Sequence, residues 1–227
     1  MAGLAGRTAI VTGASSGIGA ATACALAAEG ARLALGARRV ERVEALAREL
    51  GGDHVVAALD VTDPESAAAF VERAAEELRR IDILVNNAGL ALGRAPLAEG
   101  NEEDDRTMVE VNVLGLVRMT RLVLPYMEDG RGHVVNLGSW AGREFYAGGG
   151  LYVATKTAVR ALTQVLRKEL VGRIKVSTVD PGMVGGTEFS DVRFKGDQEA
   201  KENVYRGVDY MTPEDVAECI RWVVTRP

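Results

Sequence analysis

The 227-residue sequence has only 2 cysteines and 2 histidines. Cys24 and Cys219 are isolated, with no CxxC pair and no partner at metal-ligand spacing, which excludes a thiolate metal site or a redox dithiol. Two scattered thiols suit a reducing cytoplasm, where they are expected to be small buried side chains. His54 and His133 each open a strand-like segment and read as structural rather than as ligands, so no metal is called for. No apolar run approaches the roughly 18 residues needed to span a bilayer, and "MAGLAGRTAIVTG" enters a strand-like pattern at once. A secretory or transmembrane protein is therefore not expected. Basic residues do not dominate: 27 Lys+Arg against 32 Asp+Glu leaves a net charge of −5, no footprint for nucleic acid or an anionic membrane. Linkers, low-complexity tracts and repeats are missing too, so residues 1–227 read as one domain. What is abundant is apolar side chain, 47% of the chain, enough for a substantial core.

Short β-rich runs alternate with longer helical patterns. The strand-like runs are Arg7 to Thr12, Arg32 to Ala37, His54 to Leu59, Ile81 to Asn86, His133 to Leu137 and Lys175 to Val179. They are nearly continuously apolar, as parallel strands buried on both faces must be. Helical candidates lie between them, including Glu41 to Leu50 and Pro64 to Arg80. The second has Asp63 beside Pro64, a cap and first-turn signal. The expected fold is α/β, a Rossmann-type doubly wound parallel sheet in a single domain. After the helix Pro213 to Thr225 the chain stops at Pro227, where such sheets often add a strand. Either a six-stranded sheet or a shortened version of a longer chain is expected.

Gly13, Gly17 and Gly19 follow the first strand and open a helix, spaced G-x-x-x-G-x-G. Such glycines permit positive φ and close approach to a pyrophosphate, and the helix N-terminus offers free N–H groups. Ser15 and Ser16 add hydroxyl donors. The same turn also occurs without a ligand, but its place after the first strand of a doubly wound pattern favours a dinucleotide. The second strand ends in Gly36-Ala37-Arg38-Arg39, with no carboxylate until Glu41. An acidic residue there would bind a ribose 2′-hydroxyl and select NAD. Two guanidiniums instead suit a 2′-phosphate and select NADP. The plainer alternative is two solvated cations at a helix start, where they oppose the dipole.

Tyr152 and Lys156, in "LYVATKTAVRALTQVL", stand at i and i+4 on one helical face. An amphipathic helix with a half-buried tyrosine would look the same. Other features accumulate in order: Asn86-Asn87-Ala88-Gly89 after the fourth strand, Asn112 in a helical stretch, Ser139 after the fifth strand, and "DPGMVGGTEF" after the sixth. Together with Thr12-Gly13-x-x-x-Gly17-Ile18-Gly19, Asp60 and Pro181-Gly182, they make the chain resemble the short-chain dehydrogenase/reductase family over essentially its whole length.

That resemblance implies a nicotinamide cofactor, NADP by the Arg38-Arg39 pair, and a catalytic tetrad of Asn112, Ser139, Tyr152 and Lys156. It implies that Ile18 belongs to the phosphate loop and that Asp60 and Val61 lie near the adenine. Asn86, Ala88, Gly89, Pro181, Gly182, Val184, Thr187 and Phe189 would hold the ribose and nicotinamide, with Tyr152 and Lys156. Tyr152 would exchange its phenolic proton with the substrate oxygen while the cofactor exchanges a hydride with its carbon. A cation about 4 Å from the phenol, at an effective dielectric near 20, is worth roughly 4 kcal/mol and could lower a pKa near 10 by up to about 3. Lys156 is expected to be that cation, Ser139 to polarise the substrate oxygen, and Asn112 to hold a water.

A narrower resemblance, in Asn86 to Gly93, Pro181 to Asp197 and Met211 to Val223, is to NADP-dependent 3-hydroxy acid dehydrogenases acting on serine, allo-threonine or 3-hydroxypropionate/malonic semialdehyde. Their carboxylate needs a cation, for which Arg193 is the first candidate and Arg143 the second; each is otherwise a solvated surface arginine. Residues around 183–210 would form a substrate lid, and Tyr146 would wall the pocket. The alternatives are a general carbonyl or 3-oxoacyl reductase and a non-catalytic NADP(H) sensor. No nucleic-acid or membrane partner is expected. A homo-oligomer, dimer or tetramer, is implied through the helices of Asn112 to Glu128 and Leu151 to Leu170. The family's usual closing strand and tail, which in many members support the tetramer, are missing. The acidic run Glu99 to Met108 reads as helix-start charge complementing the dipole.

Overall fold

The computed structural model describes residues 3–226; residues 1, 2 and 227 of the expected 1–227 domain lie outside the described residues. The six strands are β1 (Thr8–Thr12), β2 (Arg32–Ala37), β3 (Val55–Ala58), β4 (Ile83–Asn86), β5 (His133–Leu137) and β6 (Lys175–Val179). They form one sheet in the order β3-β2-β1-β4-β5-β6, with every neighbouring pair parallel.

The continuous apolar runs divide by their period of two. Ala9 and Val11, Leu33 and Leu35, Ile83 and Val85, and Val135 and Leu137 face one layer, built from α1 (Gly17–Ala28), α2 (Val40–Leu50) and, at the far end of the chain, Val216, Ile220 and Val224. Ile10, Ala34, Leu84 and Val134 face the other, where Phe70, Val71 and Ala74 of α3 (Pro64–Leu78) lead the packing. The second layer continues in α4 (Glu102–Val109), a π-helical turn (Glu110–Gly115), α5 (Leu116–Val123) and α6 (Gly150–Glu169). Two short helices, α7 (Phe189–Arg193) and α8 (Gln198–Tyr205), precede α9 (Pro213–Thr225), which is closed by a capping box between Thr212 and Asp215.

Boundaries differ from the sequence expectation in a few places. Helix α3 stops at Leu78 because Arg79 turns left-handed at φ 65° and caps it. Asn112 sits in a π turn rather than in regular α-helix. Asn101 caps α4, and Glu102, Glu103, Asp104 and Asp105 fill its first turn, so the acidic run does complement the dipole. Cys24 and Cys219 are exposed, not buried, because each falls on the outer side of a helix whose inner face meets the sheet. His133 is buried with Nε2 2.9 Å from Ser177 Oγ, and His54 Nδ1 accepts from the Leu33 N–H at 3.2 Å.

At the amino edge of the sheet, Asp82 is fully enclosed. Its carboxylate accepts from Thr8 N (2.9 Å), Arg80 Nε (2.9 Å) and Arg131 Nε (2.5 Å), with Arg7 Nε at 3.5 Å. Burial alone would raise the Asp82 pKa; the bonds from Arg80, Arg131 and Thr8, with Arg7, outweigh it and hold it below the usual carboxylate value. A depressed folded-state pKa stabilises the fold above the unfolded value near 4, and that stability is lost as pH falls through the lower one. Asp82→Asn should therefore cost about 2 to 3 kcal/mol at pH 7 in a denaturant titration. It should also flatten the loss of stability as pH falls below about 4.

Candidate active site

Strands β2 and β3 lie to one side of β1, and β4 to β6 to the other. The connections therefore diverge at the carboxyl ends of β1 and β4, the place where open α/β sheets leave a crevice. A cleft of about 730 Å³ opens there. Its floor is pinned by Thr12, whose hydroxyl accepts from the backbone N–H of Asn87 and of Ala88, both at 3.0 Å. Asn87 returns two bonds from Nδ2, to the carbonyls of Thr12 (2.8 Å) and Gly13 (3.3 Å). This lattice shapes the glycine loop. Gly13 has φ +69°, and a Cβ on Gly19 would stand 2.5 Å from Asn87 Nδ2. Ser16 is extended ahead of α1 and makes no side-chain cap, and the first turn carries no acid. The N–H groups and positive end of α1 thus face the cleft, a seat for a phosphate.

The cleft brings together Gly13, Ser15, Ser16, Gly17, Ile18, Gly19, Arg38, Arg39, Asp60, Val61, Ala88, Gly89, Ser139, Tyr146, Tyr152, Lys156, Pro181, Gly182, Val184, Thr187, Phe189 and Arg193. Three sequence candidates are not in its lining. Asn86 turns inward, where Nδ2 donates to Thr120 Oγ1 and Asn136 Oδ1 at 2.9 Å each, because its strand position faces the sheet interior. The polar group presented to the cleft at this point is Asn87. Arg143 pairs with Asp180 at 2.7 Å and lies outside the pocket. Asn112 stands behind the wall. Its Oδ1 accepts from Leu90 N (2.9 Å), and Nδ2 donates to Leu90 O (2.8 Å) and Thr155 Oγ1 (3.1 Å). It ties the π turn to α6 and to the loop after β4.

Ser139 Oγ accepts from Ala141 N at 3.1 Å, which leaves its own proton to donate into the cleft. Tyr152 and Lys156 lie one turn apart on α6, both buried. Burial raises the Tyr152 pKa; the Ser139 hydroxyl draws it back down, Tyr146 raises it, and Arg193 lowers it. Lys156 is anchored to the end of β5. Its Nζ donates to the Leu137 carbonyl at 2.9 Å, and burial lowers its pKa to about 8 against a smaller opposing pull from Asp180. Arg193 also sets a cation against the phenol, with its Cζ 5.4 Å from the Tyr152 ring centroid.

Residues 7–198 match the model of the short chain dehydrogenase family. The chain belongs to that family. Among relatives of this short-chain dehydrogenase, a Schizosaccharomyces pombe NADP-dependent 3-hydroxy acid dehydrogenase is 46% identical over 233 residues, spanning 100% of this chain and 90% of that one. A serine 3-dehydrogenase from Rhizobium radiobacter is 42% identical over 221 residues, 97% of this chain and 88% of that one. The solved closed form of serine dehydrogenase complexed with NADP+ superposes with a TM-score of 0.93 at 44% identity, covering 97% of this chain and 90% of that chain.

Sequence reasoning singled out neither Arg42 nor Arg94 nor Glu188. Arg42 follows Arg39 at i+3, one helical turn away, which was a readable signal. Glu188 meets Arg39 across 149 positions and gave none. Because Asn112 makes three bonds while only 2% exposed, Asn112→Ala in this short-chain dehydrogenase should cost about 2 to 3 kcal/mol by chemical denaturation. A loss under about 0.5 kcal/mol would show that the wall does not depend on it.

Proposed function

We propose that the chain is a reversible oxidoreductase that moves a hydride between NADP(H) and a small 3-hydroxy acid or its 3-oxo partner. The observation that carries the substrate class is Arg193. Its guanidinium lies in the cleft over the Tyr152 ring, held by Nε to Gly93 O and by Nη2 to Tyr146 Oη at 3.1 Å each. Among the described residues no carboxylate forms a salt bridge with it. A guanidinium fixed beside an acid–base group, with its charge unmatched, is a receptor for a substrate carboxylate. Arg94, whose Cζ lies 5.8 Å from the Tyr146 ring centroid, adds a second positive charge to that wall. A reductase of uncharged ketones would not need either.

NADP fits the rest of the cleft. The uncapped start of α1 and the Gly13 to Gly19 loop would take the pyrophosphate, Arg39 with Ser15 and Ser16 the 2′-phosphate, Asp60 and Val61 the adenine side, and Lys156 with the Pro181 to Phe189 segment the nicotinamide ribose. When bound, the nicotinamide supplies or accepts the hydride. Tyr152 holds the mobile proton at its phenolic oxygen. Because burial keeps that pKa high, the phenol is protonated at neutral pH and ready to donate; oxidation needs the phenolate and should accelerate as pH rises. Ser139 donates to the substrate oxygen, where negative charge develops. The helices α7 and α8 would close over the substrate, and the bonds Gly185 N to Met211 O and Met211 N to Met183 O, both 2.9 Å, hold the two ends of this 183–210 lid together.

A homo-oligomer, dimer or tetramer, fits the exposed apolar residues Leu114, Tyr126 and Val165 on the expected helices. A cytoplasmic location fits two unpaired thiols. Among the described residues no helix is long and apolar enough to cross a membrane.

The test is the initial rate of NADPH formation with L-serine, 3-hydroxypropionate and 3-hydroxybutyrate, with NAD run in parallel. Turnover should require NADP, and Tyr152→Phe should lower kcat by about 10²- to 10⁴-fold. Arg193→Ala should raise KM for the acids about 10- to 100-fold and leave KM for an uncharged alcohol nearly unchanged. It should also move the alkaline rise of the uncharged-alcohol reaction to higher pH, since a cation that lowers the Tyr152 pKa is gone. Equal KM changes for acid and alcohol would refute the carboxylate receptor.

A further inference from the structure

The residue between the cofactor segment and α7 is Glu188, and its carboxylate does not face solvent freely. Oε2 lies 2.6 Å from Arg39 Nη2 and Oε1 lies 2.7 Å from Arg42 Nη1. Arg39 Nη2 also reaches Ser16 Oγ at 3.1 Å and Ser15 Oγ at 3.3 Å. Each guanidinium gives Glu188 a single bond, which leaves further N–H donors on both arginines beside the two serine hydroxyls. Both arginines also flank the N-terminus of α2, where a cation opposes the helix dipole and gains from an anion. All three charged side chains are nearly half exposed, at 41%, 48% and 42%, so the ion pairs are weak enough to exchange. A phosphate, with more acceptor oxygens and more charge, makes the stronger partner for a pair of arginines.

Glu188 is also mechanically placed. It is the residue before α7, whose Phe189 packs edge-on against Tyr152 at 5.7 Å and whose Arg193 lies over the same ring. The far end of α7 is anchored separately, by Lys195 to Asp104 at 2.8 Å. Resting on the reading of Arg39 as the 2′-phosphate receptor, we propose that Glu188 is an internal stand-in for that phosphate: it latches the lid onto Arg39 and Arg42, and a 2′-phosphorylated adenosine displaces it. The carboxylate thereby lowers affinity for the phosphorylated ligand and couples its arrival to release of the lid at the substrate end. A ligand with a bare 2′-hydroxyl leaves the latch in place.

The probes are adenosine 2′,5′-bisphosphate and adenosine 5′-monophosphate, titrated calorimetrically into the full-length wild type, Glu188→Gln and Arg39→Ala. Glu188→Gln should bind the bisphosphate about 5- to 10-fold more tightly and the monophosphate unchanged. Amide exchange over residues 188–194 should accelerate in the wild type when the bisphosphate binds, and should already be fast in Glu188→Gln without it. Weaker bisphosphate binding by Glu188→Gln would mean that carboxylate and phosphate share the arginines, and would overturn the stand-in. An equal shift for both probes would overturn it as well. The underlying cofactor reading is tested apart from it: if Arg39→Ala keeps the wild-type preference for bisphosphate over monophosphate, the 2′-phosphate does not bind at Arg39 and the proposal loses its premise.

Discussion

The cleft depends on one hydroxyl. Thr12 is 1% exposed at the end of β1, and its Oγ1 accepts two backbone N–H groups from the chain leaving β4. Those N–H groups are where the sheet stops pairing; without Thr12 the Ala88 N–H would lose this acceptor and the Asn87 N–H would keep only the Val85 carbonyl. Asn87 completes the exchange by holding the carbonyls of Thr12 and Gly13, which fixes the floor against which Gly19 packs. The phosphate loop is therefore held by a polar contact between two strand ends rather than by its own glycines. The glycines make the turn possible, and the Thr12–Asn87 lattice decides where it goes.

Burial governs the chemistry built on that floor. It pushes both members of the tyrosine–lysine pair toward their neutral forms, raising Tyr152 and bringing Lys156 down to about 8. Charge has to be imported against that tendency. Asp180 supports the Lys156 ammonium and is itself held by Arg143, so Arg143 acts on the site through Asp180 from outside the pocket. Arg193 supports the phenolate from the opposite side. The two ionisable groups thus have separate electrostatic keepers, one from the β6 end and one from α7.

Most of the scaffold was legible because a parallel sheet leaves few options. Strands β2, β5 and β6 fall on the boundaries expected from their sequence runs; β2 and β5 are buried and must be apolar on both faces, while β6 lies at the sheet edge and is only partly buried. The glycine loop, Ser139, Tyr152 and Lys156 were readable because each is tied to a local element, a strand end or one turn of helix. What was not legible is direction. Asn86 and Asn87 are adjacent, and only the strand's register decides that the first faces Thr120 and Asn136 while the second faces the cleft. Spacing placed Lys156 one turn from Tyr152, but did not show that its ammonium donates to the Leu137 carbonyl. The buried cysteines expected from composition failed for the same reason, since composition does not say which side of a helix a residue takes.

The features least visible in the sequence are the ones that join distant parts of the chain by charge. Glu188 to Arg39 and Arg42, Lys195 to Asp104, and Arg143 to Asp180 each pair residues with no shared periodicity or motif. All three lie around the carboxyl edge of the sheet, and two of them hold the segment that carries Phe189 and Arg193. That segment is also held by Arg193 on Gly93 and Tyr146 and by Phe189 on Tyr152. Helix α7 has only five residues, too few to persist without tertiary support. Its position must come from contacts at its ends, and exposed ion pairs suit that task because they are directional yet weak. The sheet is rigid because its core is apolar, whereas the segment that carries Arg193 is joined to it partly through exposed charged side chains.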